Sequence, residues 1–276
     1  MLSWILSFIA ALATSVTLVK VWPGHPVWTT VFSILAFFVV TLIINLILKK
    51  KLEATFNVVQ EKIMASQQII NNKIRAIGMR ATPKFQKEIE NDQANAIRDA
   101  IGLLDSLKPF EKWNFMVKKQ TDTLRAQFHF QLKEFDKADE YFKHALLMDP
   151  LTMAMQMTRF YKKDDMKNVE KCFKKGTRRF KDEKGVLIYA LYSWILVQQN
   201  KIDEAIQILV QAKTRAEHEV LKQNWDHLVN GRIKRFSNAG LGEQWYALQL
   251  ETPKQQRITQ QPGYGGFGGG GRGRRW

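Results

Sequence analysis

The sequence predicts an all-α protein built in successive parts, and three observations carry that expectation. Two uncharged apolar runs, Leu2 to Val19 and Val27 to Leu48, stand close to the start of the 276-residue chain. Each is near the ~20 residues that cross a bilayer as a helix. A 4-3 spacing of apolar residues then extends from Leu52 to Ile77, the period of a helix that packs along one seam. Blocks of helical period separated by short polar turns follow as far as Leu250, and a glycine-rich end closes the chain.

Residues 1–51 read as a transmembrane hairpin with spans at 2–19 and 27–48. The connector Lys20-Val-Trp-Pro-Gly-His-Pro26 holds two prolines and a glycine, which a continuous helix would not carry. Trp4, Trp22 and Trp28 lie near the ends of the runs, where an amphipathic ring suits the headgroup layer. Lys49, Lys50 and Lys51 follow the second run directly, whereas the connector has only Lys20. That bias keeps the C-terminal body on the cytoplasmic side. The first run can alternatively be read as a cleaved signal with Ala11-Leu-Ala13 at the cut; the second run would then be a single anchor, with the body on the same side.

Residues 52–80 read as a helical stalk or coiled coil. Leu52, Phe56, Val59, Ile63, Ser66, Ile70, Lys73 and Ile77 form its seam. The seam supports a homo-oligomer joined through the stalk, or an amphipathic helix lying on lipid or packed on the body. Gly78 and the Ala81-Thr-Pro-Lys84 segment end this helix. Residues 81–120 then read as a linker with packing helices, of which Ala94 to Leu107 is amphipathic.

The stretch from Phe135 to Pro150 is the most specific in the chain. Ala138, Phe142, Ala145 and Pro150 within it match the second helix of a tetratricopeptide repeat, with Pro150 closing the helix. A second unit is more degenerate, with Val169, Phe173 and Gly176 at the signature sites. A third has Ala205, Leu209 and Ala212, with Asn200 at a turn site that tolerates a left-handed backbone. The chain therefore resembles tetratricopeptide repeat proteins, in which ~34-residue helix pairs stack into an α-solenoid. Residues 121–251 are expected to form such repeats, with Trp225 to Phe236 and Glu243 to Leu250 as one more, capping helix pair.

The resemblance implies a scaffold that binds protein partners in a concave groove. Carried across residue by residue, the pattern lines that groove with Gln127, Phe130 and Gln131, then Thr158, Tyr161 and Lys162, then Trp194, Val197 and Gln198. The lysines and asparagines that clamp a C-terminal carboxylate in some members are missing at the matching sites, which include Thr123 and Gln127. In layout the chain is similar to bacterial envelope proteins with membrane helices ahead of such repeats, which implies an inner-membrane location.

Two other function classes stand beside this one. Lys171, Lys174, Lys175, Arg178 and Arg179 make a basic patch in a region with eleven basic and five acidic residues between Arg159 and Lys184. It could meet anionic lipid or nucleic-acid phosphate, or be a solvated helix face. The tail, 252–276, holds half of the sixteen glycines together with Arg272, Arg274 and Arg275, so it reads as disordered and as a weak RNA-binding signal. The nucleic-acid reading uses both, and a purely structural membrane-assembly role would use only hairpin and stalk. The net charge of +16 is shared among topology lysines, basic middle and tail. No phosphate loop, zinc-ligand spacing or nucleophile elbow is present in the sequence, so no catalytic residue, metal or cofactor is expected. Cys172 and the histidines, including His129 and His144, are expected to be structural.

Overall fold

The computed structural model describes residues 2–77 and 82–252, which are helical with no strand among them. The expected disordered tail lies outside the described residues from 253 onward, as do Gly78 and Ala81. Helix α1 (Leu2–Val21) and helix α2 (Pro26–Ile77) form an antiparallel pair, reversing at Gly24, whose φ of 109° only glycine adopts readily. Both are long and apolar enough to cross a membrane. Their contact seam is made of small and polar residues. Ser3 and Ser7 are buried, and the Thr41 hydroxyl donates to Ser7 Oγ at 2.8 Å. Large side chains such as Phe8, Ile9, Phe38 and Leu46 face outward. Apolar outside and small inside is the pattern of helices that meet in lipid, where close backbone approach replaces the hydrophobic drive.

At 52 residues α2 would measure ~78 Å, far more than the ~30 Å hydrocarbon layer. Its second half is covered by helix α3 (Pro83–Asp105), which starts on a Thr82 cap with Pro83 in its first turn and runs back antiparallel. Leu52, Phe56, Val59 and Ile63 pack with Ile97, Ala100 and Leu104 in one apolar cluster. The charged seam position Lys73 meets Glu88 at 2.9 Å and Asp92 at 2.6 Å, and Lys62 meets Asp99 at 2.9 Å. The seam that would join a second copy is thus occupied by α3 of the same chain. The helix expected from Ala94 to Leu107 thus begins earlier, at Pro83, and ends at Asp105.

Short helix α4 (Lys108–Glu111) leads into helix α5 (Phe115–Gln131), which serves two cores. Val117 and Phe128 join the α2–α3 cluster, while Ala126 and Phe130 join the cluster of the repeats. Helix α6 (Phe135–Phe142) completes the first pair. Helices α7 (Pro150–Lys162) and α8 (Met166–Arg179) form the second, and α9 (Val186–Gln198) and α10 (Ile202–Arg215) the third. Each pair turns on one left-handed residue: Lys133 at φ 60°, Asp164 at 57° and Asn200 at 59°. The amide after each donates to the carbonyl five residues back, from Glu134 to the His129 carbonyl, Asp165 to Phe160 and Lys201 to Leu196. This doubly bonded turn satisfies the orphan carbonyls at the helix end. Ala138, Val169 and Ala205 each follow their turn residue by five, and all three are fully buried.

Two expectations need correction. Helix α6 ends at Phe142, so Ala145 lies beyond it, partly buried against the core, and Pro150 opens α7 behind an Asp149 cap instead of closing α6. Side chains replace the missing helix bonds there: Leu146 N–H donates to Thr123 Oγ1 at 2.7 Å, and Arg179 donates to the Leu147 carbonyl at 3.0 Å. The expected last helix pair is also incomplete. Helix α11 (Glu219–Val229) packs on α10, but after two 3-10 turns only the four-residue α12 (Glu243–Tyr246) forms. Gly240 and Gly242 explain the break. A side chain at 240 would come within 2.6 Å of Val220 Cγ2, and Gly242 sits at φ 61°, ψ −135°, so the chain turns across the repeats instead of stacking.

Candidate partner groove

The first helix of each pair contributes its C-terminal turn to one face of the stack, and residues 245–252 lie across that face. The Glu251 carboxylate takes two indole N–H groups, from Trp194 at 2.8 Å and from Trp245 at 2.9 Å. The Gln249 amide donates to the carbonyls of Phe130 and Gln131 at 3.1 and 3.2 Å, at the end of α5. Trp245 and Leu248 are fully buried. An open groove of about 960 Å³ remains between this segment and α5–α7, with Phe130, Phe135, Thr158, Arg159 and Lys162 on one wall and Leu248 and Leu250 on the other.

The nine expected groove residues divide. Phe130, Thr158 and Lys162 line this groove together. Phe130 is also core, edge-on to Phe135 and Phe142. Thr158 is 2% exposed, and its buried hydroxyl has no hydrogen-bond partner among the described residues. Tyr161 and Trp194 pack edge to face at 5.7 Å, under the covering segment. Burial, with a smaller push from Asp164, raises the Tyr161 phenol above its usual range. Gln127 is spent between repeats, donating to Thr152 Oγ1. Gln131 contributes its carbonyl to Gln249. Val197 packs on the core and Gln198 is exposed; neither borders the groove.

Arg159, which the repeat pattern did not single out, organises the wall. Its guanidinium makes two bonds to Asp139, at 2.9 and 2.8 Å, and lies 4.4 Å from the centre of the Phe135 ring. Burial alone would raise the Asp139 carboxyl, but hydrogen bonds from Arg159 and Lys163 outweigh it and hold the group below its usual range. Lys133, at the left-handed turn, borders the same groove. Glu251, Gln249 and Trp245 were missed because they fall outside the repeats and reach the groove only through the Gly240–Gly242 break.

The basic patch lies on one side of α8. Lys171, Lys174, Lys175, Arg178 and Arg179 are all exposed there, opposite the buried Val169, Cys172, Phe173 and Gly176. Lys174 pairs with Glu170 at 2.5 Å, and Arg179 is used structurally on Leu147 and Met148. Burial pushes the Cys172 thiol up to about 11, which leaves little thiolate at neutral pH. His129 bonds Glu134 at 2.9 Å and stacks on Tyr141. In the first pair Arg125 is 2% exposed and held by Glu111 at 2.6 Å, Asp122 at 3.3 Å and the Leu104 carbonyl, which ties α3, α4 and α5 together. Burial, then the Glu111 charge, raises the Asp122 carboxyl.

Three successive helix pairs with the same left-handed turn and a fully buried aliphatic residue five positions after it define a helical-repeat protein. A tetratricopeptide repeat family model matches residues 123–150, so that segment is a tetratricopeptide repeat. It spans the second half of α5, all of α6 and the turn into α7. No curated protein and no solved structure matches the chain.

Proposed function

We propose that the protein is a membrane-anchored scaffold whose repeat groove binds an extended segment of a partner protein at the cytoplasmic face. The carrying observation is that the groove already accepts a peptide: residues 245–252 lie across it through backbone carbonyls, indoles and a carboxylate. The space left beside them has an aromatic floor and the cations Lys133 and Lys162 at its edge. That chemistry suits an apolar segment carrying a carboxylate. The anchor reading rests on α1 and α2, and the side assignment on Lys49, Lys50 and Lys51.

Photo-crosslinking in native membranes tests this, with the reactive group placed at Lys133, at Lys162 and, as a control on the opposite side, at Lys171. Capture of one protein at both groove positions and not at Lys171 is expected. Equal capture at all three, or capture of lipid alone, overturns the groove.

A further inference from the structure

The corner between α4 and α5, residues 113–116, is fastened to the membrane hairpin at the level where α1 begins and the apolar run of α2 ends. Leu2 N–H donates to the Lys112 carbonyl at 3.2 Å, and Ser3 Oγ donates to the Trp113 carbonyl at 2.7 Å. The Asn114 amide donates to Asn45 Oδ1 at 3.0 Å while its own carbonyl oxygen caps α5 at Met116 N–H. Asn45 lies three residues inside the apolar run that ends at Leu48, or ~4.5 Å along the helix. If the hairpin spans a bilayer, the corner therefore lies at the edge of the hydrocarbon and not in the water above it.

The surface at this place is apolar. A groove of about 630 Å³ lies between the first turn of α1 (Ser3, Trp4, Ile5), Asn45 and the corner itself. Its walls carry exposed large side chains, Trp4 at 69%, Phe115 at 52% and Met116 at 38%. It is continuous with the outward apolar face of α1. One turn further along α5 stands Lys119, on the same helix face as Phe115, and helical side chains lean toward the helix start, so it tilts back to the corner, whereas Lys118 borders Glu111 and Asp122 on another side of the helix. The Lys119 ammonium reaches to 5.3 Å from the Phe115 ring centre. An apolar slot with an ammonium group one helical turn above it matches an acyl chain joined to a phosphate.

We propose that this groove is a binding site for an anionic glycerophospholipid, its acyl chain held against Trp4, Phe115 and Met116 and its phosphate met by Lys119. The proposal rests on the membrane reading of α1 and α2. The site would fix the first repeat at a set height on the bilayer, since the corner continues directly into α5.

The test uses the full chain reconstituted in phosphatidylcholine vesicles that carry a minor fraction of phosphatidylglycerol with a photoactivatable acyl chain. Label mapped to Phe115 and Met116, together with label along the outward face of α1 and α2, is the expected result. Lys119→Glu should lower corner labelling about fivefold while span labelling is unchanged. A phosphatidylcholine probe should label the spans but label the corner less. Labelled spans with an unlabelled corner overturn the site and leave the membrane reading intact; unlabelled spans overturn both. Corner labelling indifferent to headgroup and to the Lys119 change overturns the anionic ligand. Circular dichroism of the Lys119→Glu variant, matching that of the parent, separates these outcomes from misfolding.

Discussion

Trp194 and Glu251, 57 residues apart, meet through an indole N–H that donates to the carboxylate at 2.8 Å. The same carboxylate takes the indole of Trp245, so one acid holds two rings and the chain's C-terminal segment on the groove. Glu251→Ala would leave two indole N–H groups without a partner, at a cost of about 1–3 kcal/mol. Faster hydrogen exchange is expected at 245–252, with little change in the buried α9. Unaltered exchange across 245–252 would show that apolar burial of Trp245 and Leu248 alone retains the segment.

Asp139 joins the first repeat to the second through Arg159, and its stability contribution depends on pH. Its folded carboxyl is held below the usual range, so folding favours the carboxylate. The contribution is present above the ~3.9 of an unfolded aspartate and is lost as pH falls through the lowered folded value. Asp139→Asn should lower stability by about 1–3 kcal/mol at neutral pH. The gap from the parent should close as the medium is acidified below about pH 4. Chemical denaturation of both proteins at a series of pH values checks this; a constant gap would refute it.

Gly176 occupies a site where the family pattern has alanine. Alanine would add roughly 1 kcal/mol of helix propensity. Yet its Cβ would stand 3.0 Å from Ile188 Cγ2 and 3.0 Å from Met153 Sδ, both fully buried. The branched Ile188 has little freedom to yield. Overpacking of this kind costs about 1–3 kcal/mol, so Gly176→Ala should be a net loss of about 1 kcal/mol. A raised melting temperature would contradict the packing seen here.

The three left-handed turns give opposite expectations for two substitutions. Asp164→Gly removes the side-chain conflict at φ 57° and should stabilise by about 0.5–1 kcal/mol, less any interaction that Asp164 makes. Asn200→Val places a branched side chain at φ 59° and should cost at least about 1–2 kcal/mol. Thermal unfolding in detergent measures both, and equal effects would mean that the turns are not held left-handed.

Much of the helical framework was legible because it is local. The runs at 2–19 and 27–48, the period from Leu52 to Ile77 and the buried Ala138 and Ala205 all follow from spacing along one helix. Asn200 was readable as a left-handed turn; Lys133 and Asp164 were not, since neither lysine nor aspartate announces that geometry as glycine does. The groove was less legible. Phe130, Thr158 and Lys162 do line one space, whereas Gln127 and Trp194 were claimed by Thr152 and Glu251, partners that no helical period reveals.

What the sequence by itself determined is the inventory of helices, two of them apolar enough to cross a membrane, and the tetratricopeptide character of residues 123–150. Tertiary structure decided which faces meet. It laid α3 along the stalk seam, set the α4–α5 corner beside Ser3 and Asn45, and brought Glu251 to Trp194 across the groove. Helix formation depends on residues three or four apart, so it is written locally. Those three contacts join residues far apart in the chain, where apolar and hydrogen-bonding surfaces must match in space, and no period along the sequence carries that match.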